Sequence, residues 1–106
     1  MEFEVNPQGT VGQNVILTAD VGHEVLVARL PFAVIRDSAD RPERPVTLSD
    51  AILVATANCP QISLIIKEKI AAGLMARSEE GREIVILDNS DFESAGVTLK
   101  TSVLDL

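Results

Sequence analysis

The chain is poor in the side chains that most often carry chemistry. Its 106 residues include one His, one Cys, no Trp, no Tyr and only three Phe. A zinc site draws on three or four ligands, mostly His and Cys, and a single copy of each does not supply them. Without Trp and Tyr, stacking platforms for bases lack most of their material. One cysteine allows no intramolecular disulfide and gives no sign of an oxidising compartment. Gly9, Gly12 and Gly22 are not spaced as a phosphate-binding loop, and neither a Walker sequence nor a Gly-x-Gly-x-x-Gly run is present. No cofactor and no metal is expected on these grounds.

Positive charge is scarce as well. Nine Lys and Arg stand against sixteen Asp and Glu, for a net charge of -7 and a pI near 4.5. Binding a nucleic acid depends on neutralising phosphates with cationic side chains, so nucleic acid is excluded as an expected partner. An anionic membrane surface is disfavoured by the same argument. Long hydrophobic runs are missing too: the longest candidate, residues 62–75, is interrupted by Lys67-Glu68-Lys69 and falls short of the ~18–20 apolar residues of a span. The opening Met1-Glu2-Phe3-Glu4-Val5 has neither the basic start nor the apolar stretch of a signal peptide. A reducing, cytoplasmic setting is the expectation.

What the chain does hold is an aliphatic core. Hydrophobic residues make up 46% of it, mostly Val, Ile, Leu and Ala, and its length fits one domain over residues 1–106. Residues 2–6 alternate as a half-buried strand, and Asn6-Pro7-Gln8-Gly9 reads as a turn. Residues 14–20 and 24–30 read as an antiparallel hairpin about Val21-Gly22-His23, with Val15, Leu17 and Ala19 sharing a face and Val25 and Val27 continuing it across the turn. Phe32 to Ile35 is ambiguous between strand and helical turn.

Thr47-Leu48-Ser49-Asp50 is a helix-start signature, with Thr47 capping and Asp50 reaching back. The helix it opens, to about Asn58, is apolar nearly all round and must be covered on more than one side. Pro60 restarts a second helix over about 60–77, whose stripe Ile62, Ile66, Ile70 and Leu74 should face Val15, Leu17, Val25, Val27, Val85 and Leu87. Strands follow at 83–87 and 97–104. The fold expected is α+β: a mainly antiparallel sheet of about four or five strands packed on two helices.

Few residues invite a functional role. Cys59 precedes Pro60, so as the N-cap of the second helix its thiol would feel the positive helix end, which favours a reactive thiolate. The competing reading is a small buried hydrophobe, a common state of free Cys. His23, beside Glu24, is the sole candidate base and reads as a solvated turn residue. Asp88, Asp91 and Glu93 suit a hard cation in type but lack an EF-hand arrangement, and helix capping by Ser90 or Asp91 accounts for them better. Residues 36–45 look like loop throughout. Arg36, Asp37, Asp40, Arg41, Glu43 and Arg44 make it a candidate interaction loop, stiffened by Pro42 and Pro45. It should be exposed and replaceable by a short Gly-Ser linker without loss of the fold.

The hairpin Asp20-Val21-Gly22-His23-Glu24-Val25, the helical ending Lys69-Ile70-Ala71-Ala72-Gly73 and the stretch from Gly81 through Val85 and Leu87 to Asp91-Phe92 share one order. That order resembles a family of small uncharacterised bacterial proteins, a domain-of-unknown-function group. Its members carry a Val-x-Gly-x-x-Val hairpin and finish near a valine-rich strand and an Asp-Phe pair. The resemblance covers roughly residues 14–92 and implies a fold but no activity. The charged 36–45 segment and the continuation past Phe92 depart from it.

Three functions compete. The first is a non-enzymatic interaction or assembly protein whose partner is itself or another protein, resting on the all-round apolar helix and on strands near both termini that can pair across chains. The second is a small ligand-binding domain, with an aliphatic pocket between sheet and helices and polar contacts from Arg29, Thr56, Asn58 or the 36–45 loop. The third is an enzyme using Cys59, for which His23 is the only histidine base.

Overall fold

The computed structural model describes residues 3–41, 43 and 45–105. Strands β1 (Phe3–Val11), β2 (Asn14–Val21) and β3 (Glu24–Pro31) form an antiparallel meander. Two-residue loops join them, Gly12-Gln13 and Gly22-His23, with the glycines at φ +59° and +65°. Glycine takes that conformation without strain, and mirror-type turns of this length match the strand twist. β5 (Glu83–Ile86) lies parallel to β3, and the two-residue β4 (Ala76–Arg77) closes the order β1-β2-β3-β5-β4. With four helices among the described residues, this is an α+β fold around a mixed, mostly antiparallel five-stranded sheet.

β1 runs straight through the expected Asn6–Gly9 turn. The register jumps from Pro7 opposite Leu17 to Gly9 opposite Ile16, leaving Gln8 as the extra residue of a bulge. Proline is tolerated there because β1 is an edge strand, where a missing N–H breaks no second ladder. The real turn comes at Gly12.

The helices are α1 (Phe32–Asp37), α2 (Leu48–Ala57), α3 (Cys59–Ala71) and α4 (Asn89–Ala95). α2 opens with the expected capping box: Asp50 N donates to Thr47 Oγ1 and Thr47 N to Asp50 Oδ2, both at 3.2 Å. It is covered on one side only. Ala51, Val54 and Ala55 are buried, while Leu53 and Thr56 face outward. α3 turns away from α2 by 81°, and among the described residues no single helix is long and apolar enough to cross a membrane.

α3 stops at Ala71 rather than near 77. Gly73 N donates to Ile70 O and Leu74 N to Lys69 O, the paired bonds that close a helix over a glycine. Leu74 therefore leaves the expected stripe and is 62% exposed, whereas Ile62 and Ile66 are buried against Val15, Leu17, Val85 and Leu87 in one core. Arg77 falls beyond the helix, in β4, and donates to Gly81 O.

The final strand expected at 97–104 does not form. Only Leu99 pairs, in an isolated parallel bridge with Ala39, and the chain ends in a 3-10 turn (Ser102–Asp105). The bridge also corrects the reading of residues 36–45 as loop free of core contacts. Arg36 and Asp37 belong to α1, Ala39 is buried, and Asp40 Oδ1 accepts from Thr101 N at 3.2 Å and Thr101 Oγ1 at 2.8 Å. A Gly-Ser replacement would remove those contacts. Pro42 and Arg44 lie outside the described residues.

Asn58 holds the other side of this C-terminal strap. It is 2% exposed at the α2–α3 elbow. Its amide nitrogen donates to Val54 O at 2.8 Å and Lys100 O at 2.9 Å, and its Oδ1 accepts from Lys100 N at 2.9 Å. The side chain thus pairs with Lys100 as a neighbouring strand would. Asn58→Ala should cost about 3 kcal/mol, the price of stranding buried backbone groups, and lower the melting temperature by roughly 12–24 °C in calorimetry. Asn58→Asp should fare no better, since a carboxylate cannot donate to two carbonyls.

Candidate functional site

Loop length decides which residues share a face of the sheet. With Val21 opposite Glu24 across Gly22-His23, odd residues of β2 pair with even residues of β3: Val15 with Leu30, Leu17 with Ala28, Ala19 with Leu26. These point to the helices. Val25 and Val27, expected on that face, are on the other one beside Asp20 and Thr18, and Val25 is 63% exposed. A hairpin built on three loop residues would have produced the expected alignment; two loop residues reverse it.

The opposite, helix-free face carries two complete rows. One runs Asn6–Thr18–Val27–Ile84–Ala76 and the next Gly9–Ile16–Arg29–Ile86. A third begins Glu4–Asp20–Val25. Aliphatic side chains thus fill the middle of the face, with Ile86 39% exposed and Ile16 and Val27 half-buried. The turn at 78–82 forms the far wall of a groove of about 520 Å³ whose floor includes Val25, Val27, Arg29 and Ile84. The half-buried Arg29 side chain has no hydrogen bond or ion pair among the described residues, and the same holds for the side chains of Asp20 and Glu4.

Of the residues singled out in the sequence, Arg29 lies on this face and the others sit elsewhere. Cys59 is the first residue of α3, not its cap, which is Asn58. Its thiol donates to Val5 O at 3.2 Å, and burial pushes its pKa up from the ordinary value. That shift is opposite to the one an activated thiolate needs. His23 is exposed in the β2–β3 turn beside Glu4, Asp20 and Glu24. Thr56 Oγ1 donates to Ile52 O, and Asn58 is fully engaged, so neither is free for a ligand.

The charged loop spends part of its charge internally. Arg36 pairs with Asp37 and Arg41 with Asp105, each at 3.9 Å and exposed, contacts that contribute little. Asp37 also accepts from Asn89 Nδ2 at 3.1 Å. Glu43 is exposed, and Arg44 lies outside the described residues.

Asp88 and Asp91 form the capping box of α4. The hydroxyl of Ser90 donates to Asp88 Oδ1 at 2.6 Å and, with the Asp91 N–H and the Lys69 charge, holds the Asp88 carboxyl below its ordinary 3.8 against the opposing effect of burial. Asp91 Oδ2 meets Lys69 Nζ at 2.9 Å, and Lys69 also donates to Ile86 O at 2.9 Å. These carboxylates tie α4 to α3 and β5, and no group of three or more His, Cys, Asp or Glu among the described residues is placed to hold a metal ion.

Comparison with protein-family models, with curated proteins and with solved structures finds no match for the chain. Its function has to be read from the geometry.

Two pH effects follow. A thiol raised in the folded state stabilises the fold below its unfolded pKa, and that contribution disappears as pH rises above about 8.5. Thiol labelling of folded protein should accordingly show a midpoint above that value, and Cys59→Ala should flatten the stability curve on the alkaline side. Asp88 behaves in the reverse sense. Its contribution is complete above the ordinary carboxylate value and fades as pH falls through the lower folded one, so Asp88→Asn should make denaturation below about pH 4 less steep in acid titrations.

Proposed function

We propose that the chain is a non-enzymatic interaction protein that assembles with a second copy of itself through the helix-free face of its sheet. The observation that carries this reading is the aliphatic cluster on that face: Ile16, Val27 and Ile86 are brought together by register around the buried Ile84, with Val25 exposed in the next row and no helix over them. Exposed leucines on the helices, such as Leu53 and Leu64, stand on separate helices, and scattered apolar residues are normal on a surface. An antiparallel meander with one face left to water alternates apolar and polar residues; here the outer face keeps polar residues at Asn6, Thr18, Asp20 and Arg29 but carries Ile16, Val25 and Val27 among them.

Pairing across chains at β1, the other route to assembly, has less support. The Cys59 thiol occupies Val5 O, and Pro7 and the bulge interrupt the free edge. A ligand pocket between sheet and helices finds the space already filled by Val54, Ala55, Ile62 and Ile66, all without exposure. The third reading loses its basis with the raised thiol of Cys59.

Light scattering coupled to size-exclusion chromatography tests the proposal over about 1 µM to 1 mM. The mass should rise from one chain to two. Val25→Asp and Ile86→Asp, at exposed positions of the face, should weaken association at least about tenfold, because each places a charge in an apolar contact. Leu53→Asp and Leu64→Asp, on the helices, should leave it unchanged. A chain that stays monomeric throughout, or that responds only to the helix variants, would refute the reading.

A further inference from the structure

We infer that Arg29 sets the symmetry of the assembled pair by reaching Asp20 of the second copy. The inference rests on the face-to-face reading above and names the contact that fixes its geometry. Arg29 is the one cation in the two complete rows of the helix-free face, between Ile16 and Ile86, and it has no partner within the chain among the described residues. The guanidinium is half-buried in a groove that Glu79, Glu80 and Glu83 also line, none of them in ion-pair contact with it, and covering it with a second sheet that brings no counter-charge would be unfavourable. A covering face that places an acid against it is favoured over one that brings no acid.

The same face supplies one. Asp20 and its cross-strand neighbour Glu4 stand in the third row, on the other side of the Thr18–Val27 row from Arg29, and both are unpaired among the described residues. Two copies meeting face to face are related by a two-fold axis lying between the sheets. If that axis runs along the strands over β3, each Arg29 meets the other Arg29, a like-charge contact. If it runs across the strands, along the row Asn6–Thr18–Val27–Ile84–Ala76, the rows on either side exchange. Arg29 of each copy then lies over Val25 of the other, one strand away from its Asp20. Facing sheets sit about 10 Å apart and neighbouring strands about 4.8 Å, within reach of an extended arginine. The two-fold makes this contact twice.

Area sets the strength. Four strands at about 4.8 Å and some seven residues at about 3.3 Å give at most roughly 450 Å² per copy in projection, or about 900 Å² for the pair. That is below the roughly 1,200–2,000 Å² of stable specific interfaces and within the range of transient ones, so the pair should be weak and sensitive to single charges.

Charge exchange tests the axis. Arg29→Asp and Asp20→Arg should each raise the dimer dissociation constant at least about tenfold, and the double variant should recover most of the loss, since it restores both contacts with their signs reversed. Analytical ultracentrifugation reads the constants, and circular dichroism checks that each variant folds. Should a reversed variant not fold, the neutral pair Arg29→Gln and Asp20→Asn provides the same cycle, with coupling between the two sites as the expected result. A wild-type dimer that Val25→Asp breaks, but in which the Arg29 and Asp20 changes are purely additive, would overturn this axis and leave the face reading standing. A monomeric wild type would overturn both.

Discussion

Two hydrogen bonds between one buried amide and the backbone of Lys100 hold the C-terminal strap to the α2–α3 elbow. Asn58 ends α2, precedes α3 and pairs with both backbone groups of Lys100, so the elbow between the helices and the C-terminal strap are fixed by the same side chain. Asp40 grips Thr101 from the other side, next to the Ala39–Leu99 bridge. Without the strap, the ends of α1 and α2 would lose their cover. The sheet then has a preformed helical layer to pack against, which is why its inner face is closed and only its outer face is left to solvent.

That division bears on function more than any single reactive group does. The cysteine is a donor to a strand carbonyl, the histidine sits in a turn, and the clustered aspartates cap a helix. Each of the chemically suggestive residues has a structural task. What remains without one is a set of ordinary side chains, Ile16, Val27, Ile86, Arg29 and Asp20, and the proposed function rests on the face they share.

Much of the fold was legible in the sequence because it rests on local rules. The Thr47–Asp50 box, the β2–β3 hairpin, the restart at Pro60 and the strand at 83–86 all follow from short-range patterns. The errors arose where a long-range or one-residue effect decided. Alternation at 97–104 looks like a strand, but the segment has a side chain and one bridge for neighbours instead of a sheet edge. Gly73 closes a helix that the Ile stripe seemed to continue to Leu74. The candidate face was hidden by parity: counting Gly22-His23 as the whole loop, rather than starting it at Val21, places Val25 and Val27 outside and would have brought Ile16 and Arg29 into view. No signal in the sequence could have shown that Asn58 acts as a strand partner 42 residues away.

The bulge in β1 has a consequence for how large an assembly can grow. A sheet adds strands without limit when its edges are flat and unoccupied, and the product is a fibre. Here one edge is bent at Gln8, broken by Pro7 and occupied at Val5 O, and the opposite edge is only two residues long. Growth by edge addition is disfavoured at both ends, and in the proposed pair a face used once by a two-fold cannot be used again. Association of this chain should therefore saturate: raising its concentration fills a finite complex rather than seeding a filament.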